Sequence, residues 1–334
     1  MLSAVTLGIT FGLTPQRSLR QWADLAPELE QAGVERIWLL DSPLDLAEVW
    51  SALLLAAQRT ERVDLGPGSS DLKGRHASVL AASALALDEV SGGRARLGLG
   101  GGEGESAASI EAAMRYLRPA LAGEEAELEG SQRRLNRAPS GVRIPLHLAA
   151  LGPRRCRLGG RLADAVTLCG PPHPELIRRQ LEWITSGARE AGRDPLEVSV
   201  ELLVPALVAD GSGAALGPLR DWAVSRAKTF GARAQMAADG PEARPEELPE
   251  ELWAELDRAR DEPDRALASL ALVGTSAEVE ARLSALRRAG IGDFIFPLLG
   301  RDDSDMLRRW ESIRDLAPSE EATPEPAVDP SLAL

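Results

Sequence analysis

Short apolar runs of strand length alternate along this chain with longer stretches whose apolar residues recur every three or four positions. Ser3 to Gly12 (SAVTLGITFG) reads as a first strand. In Ser18 to Gln31 the residues Leu19, Trp22, Leu25, Ala26 and Leu29 fall on one helical face, and Gly33 supplies the stop. Glu35 to Asp41 is an almost unbroken apolar run, the mark of a strand covered on both faces, and Asp41-Ser42-Pro43 ends it. The alternation continues with a helix from Leu46 to Arg59 and a strand through Val63 and Leu65 that stops at Gly66-Pro67-Gly68. A helix from Ala77 to Val90 is punctuated by Ser91-Gly92-Gly93, and a strand from Ala95 to Leu99 runs into glycines. After a helix from Ser106 to Ala122 and a polar connector, Arg143 to Ala150 reads as the fifth strand. Gly152-Pro153 opens the next helix. The sixth strand, Ala163 to Cys169, ends at Gly170; a helix from Pro174 to Ala191 leads to the seventh, Glu197 to Val204. Ser276 to Ala289 is an amphipathic helix and Asp293 to Leu299 the eighth strand; the last helix, Ser304 to Leu316, has Ser304 as its expected N-cap.

Eight strands alternating with helices predict an α/β chain folded as a (β/α)8 TIM barrel. A doubly wound sheet is the rival, and it would not need eight regular units. Residues 1–316 form one domain in this reading, with 206–270 an elaborated, variable connection between strands seven and eight. Residues 317–334, rich in proline and acid, have little to bury and read as a disordered tail. The net charge of −13 argues against a nucleic-acid surface or an anionic membrane patch. Two cysteines, Cys156 and Cys169, make no disulfide framework, and no signal peptide or 18-residue apolar run is legible. A soluble, cytoplasmic protein is expected.

In such barrels the C-terminal ends of the strands form the site. Here those ends carry Thr10 and Phe11, Asp41 and Ser42, Gly66 to Ser70, Gly98 to Glu103, Ala149 to Gly152 and Thr167 to Gly170. His76, His147 and His173 are too scattered for a metal site, and no Ser-His-Asp arrangement is legible. Gly98 to Gly104 lacks the third glycine of a dinucleotide fingerprint, Glu103 standing in its place. What the strand ends offer is close backbone approach to a flat ring and amides for a phosphate, which points to a bound cofactor that supplies the chemistry. His147, mid-strand among apolar neighbours, reads as a core histidine, and Cys169 as a small hydrophobe. Arg75-His76 either contacts a ligand or caps and packs its helix; Glu103 is either ring-side or a charge on a helix N-terminus.

The runs LGPGSSDLKGRH, LDEVSGGRARLGLGGGEG and IPLHLAALGPRRCRLGGRLADAVTLCG resemble the bacterial luciferase-like superfamily, with the strongest likeness to deazaflavin-dependent methylenetetrahydromethanopterin reductases. The resemblance covers residues 3–205, fades through 206–270 and returns at 271–300. It implies a barrel that binds FMN or coenzyme F420 noncovalently, transfers hydride to or from a small organic substrate, and forms a homodimer. FMN would open the alternative of monooxygenation with reduced flavin and O2, whereas the GPGxxxxxxRH pattern tilts toward the deazaflavin. By resemblance, Gly66, Pro67, Gly68 and Ser69 form the bulge behind the ring, with a non-prolyl cis peptide at Gly68-Ser69. Asp41, with Ser42 beside it, is the catalytic candidate near the ring; Ala149, Ala150 and Gly152 hold the phosphate. Thr167 and Gly170 border the cofactor tail, and Thr10, Phe11 and Glu103 shape the substrate pocket. Asp88-Glu89 matches an acidic pair of the reductases, or else is helix-end structure against Arg94.

The chain departs from that pattern in three places. Many relatives have histidine where Ser42 stands, and the reductases have glutamate where Thr10 stands. The loop after the fourth strand is short. Proton transfer is thereby left without an obvious agent, which motivates a second reading: a catalytically degenerate barrel that binds a cofactor or a partner.

Overall fold

The structure is a computed structural model and describes residues 6–13, 17–100, 105–136, 141, 143–208, 217, 219–220, 223, 262–298, 300 and 302–316. Glu103, the expected tail and most of the expected elaborated connection lie outside these residues.

Eight parallel strands form one sheet: β1 (Leu7–Phe11), β2 (Arg36–Leu39), β3 (Asp64–Pro67), β4 (Leu97–Leu99), β5 (Leu146–Ala150), β6 (Ala165–Leu168), β7 (Ser199–Leu203) and β8 (Asp293–Pro297). Their order is β3-β2-β1-β8-β7-β6-β5-β4. Bridges Leu65↔Ala95 and Ser70↔Leu99 join the two edges, so the sheet closes into the expected barrel. The helices that follow the strands are α1 (Leu19–Gln31), α2 (Val49–Ala57), α3 (Ala77–Ser91), α4 (Ala107–Leu121), α5 (Pro153–Leu162), α6 (Pro174–Glu190), α7 (Ser276–Arg288) and α8 (Asp303–Arg314).

The main core lies between barrel and helices, where Trp22, Leu25, Leu29, Ile37, Leu39 and Leu53 are almost wholly buried. Its two wholly buried tryptophans are hydrogen-bonded: Trp22 Nε1 donates to Ala52 O at 2.9 Å and Trp310 Nε1 to Ala32 O at 2.8 Å. Glu30 ties the turn before β3, accepting from the backbone N–H groups of Glu61, Arg62 and Val63. Burial pushes its carboxyl up, but those amide donors outweigh it and hold the group below its usual range. Arg94 donates to the carbonyls of Ala57 and Thr60 and so closes the end of α2. The sequence offered Asp88-Glu89 as its counterpart; the guanidinium instead donates to Ser91 O, Thr60 Oγ1 and Val63 O as well.

Boundaries move where a local hydrogen bond outweighs pattern. The last helix is capped by Asp302, not Ser304, because the Asp302 carboxylate accepts from Asp305 N at 2.8 Å. The polar connector after α4 contains a small antiparallel hairpin, Ala126–Leu128 with Ser131–Arg133. Within the expected elaborated connection, Ala206–Val208 pairs in parallel with Leu272–Gly274. Immediately after that strand, α7 starts with a capping box: Thr275 accepts from Glu278 N, and Glu278 Oε2 accepts from Thr275 N at 2.8 Å. Thr275→Ala should cost about 1 kcal/mol, read as a lower urea midpoint at unchanged slope.

Candidate functional site

A cavity of about 340 Å³ opens at the C-terminal mouth of the barrel. Its floor is built around Trp38, an inward side chain of β2. The indole fits because three neighbours have no side chain: a Cβ at Gly66, Gly68 or Gly98 would collide with it or crowd it. His147 of β5 meets Trp38 edge-on, ring centroids 4.8 Å apart at 69°. Trp38 Nε1 and Thr10 Oγ1 are both buried with no hydrogen-bond partner, and both belong to residues that line the cavity. Each leaves hydrogen-bonding capacity unspent beside the cavity, which a polar ligand could use.

One side of the cavity is the loop after β3. The Gly68-Ser69 peptide is cis. Ser70 N donates to Gly98 O, and Gly100 N to Ser70 O, each at 3.0 Å, so the loop is laced to the end of β4. Asp41, only 3% exposed, binds this loop from below. It accepts from Ser70 Oγ at 2.6 Å and takes both Nε and Nη2 of Arg75, at 2.7 and 3.1 Å. Hydrogen bonding to Asp41 raises the Arg75 guanidinium above its ordinary value. Both Asp41 oxygens are therefore committed to protein donors, and Asp41 works as the tie between β2 and the ring-side loop. Ser42 Oγ donates to Asp45 at 2.7 Å. Arg75 and His76 do not line the cavity: Arg75 holds Asp41 and Glu48, and His76 is the N-cap of α3.

The opposite side comes from β5, β6 and the start of α5. Ala149, Ala150 and Thr167 line the cavity, with Cys169 and Arg155 beside them. Gly152 is the N-cap of α5 and makes no side-chain cap bond; Pro153 follows at the first helical position. The helix N-terminus, with Arg155 on its first turn, suits an anion. Four expected residues sit elsewhere. Phe11 points out of the barrel and packs edge-on to Trp22, 5.1 Å between centroids, because strand alternation gives the inward place to Thr10. Gly66 and Pro67 lie in β3, where Gly66 makes room for Trp38, and Gly170 packs against Leu151.

Below Trp38 is a charged layer absent from the sequence expectations. Glu201 of β7 accepts from Arg36 Nη1 at 2.6 Å and Thr167 Oγ1 at 2.5 Å, and lies 3.3 Å from His147 Nδ1. Arg36 and Arg96 share Asp64, at 3.6 and 2.9 Å. Burial pushes the Glu201 carboxyl up, but a charged His147, its hydrogen bond, Arg36 and Thr167 outweigh that and bring it down to about 2. A carboxyl lowered by folding stabilises the fold fully above its unfolded value near 4.5, and loses that contribution as pH falls toward about 2. Acid unfolding should therefore carry a component in this window that Glu201→Gln removes, read by fluorescence-monitored acid titration. The one signal in the sequence was a glutamate inside the apolar run from Val198 to Val204. His147, expected to be a core histidine among apolar neighbours, is buried but belongs to this layer and also to the cavity wall.

Among the described residues no three His, Cys, Asp or Glu side chains gather as a metal set, and no helix is long and apolar enough to cross a membrane. The mouth fits a flat, polar-edged group with an anionic tail: small wall residues, the orphaned Thr10 and Trp38 atoms, and the α5 N-terminus with Arg155.

The 5,10-methylenetetrahydromethanopterin reductase of Methanolobus tindarius is 31% identical over 210 residues, which is 59% of this chain and 63% of that protein. The chain thus spans less than two thirds of the length of these curated relatives. The coenzyme F420-dependent tetrahydromethanopterin reductase from Methanopyrus kandleri superposes with a TM-score of 0.73 at 21% identity, over 92% of this chain and 98% of that one. The oxygenating constituent of 3,6-diketocamphane monooxygenase from Pseudomonas putida, a type II Baeyer–Villiger enzyme in complex with FMN, gives 0.71 at 17% identity, over 97% and 99%. These superpositions establish a shared barrel. Residues 7–293 match the luciferase-like monooxygenase family, and the chain belongs to that family.

Proposed function

We propose that this protein is an oxidoreductase that holds coenzyme F420 or FMN noncovalently in the mouth cavity and acts on a small organic substrate. The same reading has it work in the cytoplasm as a homodimer. The observation that carries it is the pair of partnerless buried atoms, Thr10 Oγ1 and Trp38 Nε1, in a glycine-walled cavity beside the uncapped N-terminus of α5. When bound, the cofactor would supply hydride transfer, which no side chain of this site can supply.

The protein's part is placement. Gly68, Ser69, Gly98 and Gly100 would give the ring a flat wall, and Thr10 Oγ1 and Trp38 Nε1 would meet its polar edge. Backbone amides at the start of α5, with Arg155, would take the phosphate. Asp41, through Ser70 and Arg75, would keep the wall in place. Leu40, Leu46, Leu203 and Ile295 would exclude water around the reacting atoms.

The choice between the two cofactors does not rest on Arg75-His76, since neither lines the cavity. The sequence likeness to methanopterin reductases favours F420. The FMN-bound neighbour, together with 29% identity to the 4-hydroxyprotoasukamycin monooxygenase of Streptomyces nodosus subsp. asukaensis, supports monooxygenation as the second reading. The two are separated by loading the protein with each reduced cofactor and following its oxidation with and without O2, against carbonyl and imine acceptors. Substrate-dependent oxidation without O2 supports hydride transfer. Substrate-coupled O2 consumption supports the monooxygenase. A bound cofactor that is never turned over supports the degenerate barrel and contradicts the proposal.

A further inference from the structure

Four ionisable side chains line the mouth cavity: Asp41, His147, Arg155 and Cys169. Asp41 is bound on both oxygens by Arg75 and Ser70. An arginine does not give up its proton. Cys169 Sγ donates to Thr167 O at 3.4 Å. Of the four side-chain types, imidazole is the one suited to proton exchange near neutrality.

His147 also has an unusual position. It lines the mouth cavity and, on its other side, a second cavity of about 310 Å³ at the N-terminal ends of the strands. That base cavity is polar: Arg36, Arg96, Asp164, Ser199, Glu201 and Asp293 border it. Arg96 and Asp64, paired at 2.9 Å, keep 20% and 19% of their side chains exposed, so this end of the barrel is in touch with solvent. His147 is therefore the link between the two ends. Its Nδ1 faces Glu201; among the described residues its Nε2 has no hydrogen-bond partner. A histidine kept only for packing would be paired at both nitrogens or replaced by an apolar residue, which is often neutral or stabilising for a buried ion pair.

We propose that His147 is the proton-transfer residue for a ligand in the mouth cavity, held by Glu201. The inference rests on the reading of the mouth as a cofactor and substrate site. For a carbonyl substrate, the hydride that a bound reduced cofactor would supply would form the new C–H bond as the C=O π bond breaks. The oxygen takes the proton from Nε2, whose N–H bond breaks to leave a neutral imidazole. Once the product leaves, water entering the mouth returns one proton to Nε2. Glu201 keeps Nδ1 protonated and fixes the plane of the ring, a carboxylate–histidine arrangement that stabilises the imidazolium before transfer. The charged groups around it are Arg36 on β2, Asp64 on β3, Arg96 at the start of β4, Asp164 before β6, Glu197 and Glu201 at β7, and Asp293 on β8.

The test uses nitrogen-15 NMR of the three histidine side chains, with His147 assigned by its loss in His147→Asn. That variant keeps a donor facing Glu201 where Nδ1 was, and lacks Nε2. In Glu201→Gln the His147 Nδ1 resonance should move, because the carboxylate that faces it is gone. Addition of F420 or FMN, whichever binds, should move the Nε2 resonance. The Kd of that cofactor should depend on pH more steeply in wild type than in His147→Asn, since the ionisable groups of the cofactor itself are common to both. Equal pH dependence in wild type and His147→Asn overturns the inference and leaves the functional reading standing. So does a cofactor titration of the wild type in which none of the three histidine Nε2 resonances moves, a result available even if the variant does not fold. Failure of wild type to bind either cofactor at any pH overturns both.

Discussion

Glu201→Ala should destabilise the barrel by about 3–5 kcal/mol, the largest effect expected of any single substitution here. Glu201 is fully buried and is the shared acceptor of Arg36, Thr167 and His147. Removing it leaves Arg36, 12% exposed, with Asp64 at 3.6 Å as its remaining close anion, and leaves the Thr167 hydroxyl without its acceptor. The cost lies less in the lost attraction than in the uncompensated charge that stays behind. Glu201→Gln, which keeps shape and one acceptor oxygen, should lose less. The double variant Glu201→Met with Arg36→Met should recover part of the loss, since no charge is then stranded. Urea unfolding of the four proteins checks the order. Equal stability of wild type and Glu201→Ala would mean that water reaches the layer freely and that Arg36 is not buried in solution.

Gly98→Ala should cost about 1–3 kcal/mol and also abolish binding in the mouth. A Cβ there would overlap the Pro67 carbonyl oxygen and lie 3.2 Å from Trp38 Cζ3. The first is backbone of the neighbouring strand, and Trp38 is boxed in by Gly66 and Gly68, so neither can yield cheaply. The β3–β4 seam that closes the barrel must open, or Trp38 must rise into the cavity. Gly92→Ala is the control. Gly92 caps α3 at φ +69 with nothing near its would-be Cβ, so its cost, about 1 kcal/mol, is backbone strain alone. It should leave the mouth intact. Denaturation together with cofactor titration separates the two glycines.

The repeating order of strands and helices was readable because it is a local pattern, and each strand interior is bracketed by glycine, proline or a cap. The glycines at the ends of β3 and β4 were readable for the same reason. What local pattern could not supply was pairing across the barrel. Asp41 and Arg75 are 34 positions apart, and Arg36 and Glu201 165, and neither pair is marked by any spacing rule. Asp41 therefore looked like a reacting group, when its geometry makes it a loop tie. Phe11 was placed at the pocket by being near a strand end, whereas strand parity decides which of Thr10 and Phe11 points inward. His147 looked apolar in context because its neighbours in sequence, Leu146 and Leu148, face the helices while it faces Glu201. The hairpin after α4 was missed because its short polar strands lack the alternation that marks a half-buried strand.

The most direct measurement is a titration of the purified protein with oxidised F420 and, separately, FMN, followed by ring absorbance and fluorescence. The mouth geometry requires one of them to bind with a Kd of about 10 μM or tighter, roughly −7 kcal/mol, and requires Gly98→Ala to lose that binding. A folded protein that binds neither, with Gly98→Ala indistinguishable from wild type, would contradict the assignment of the mouth cavity as a flavin or deazaflavin site.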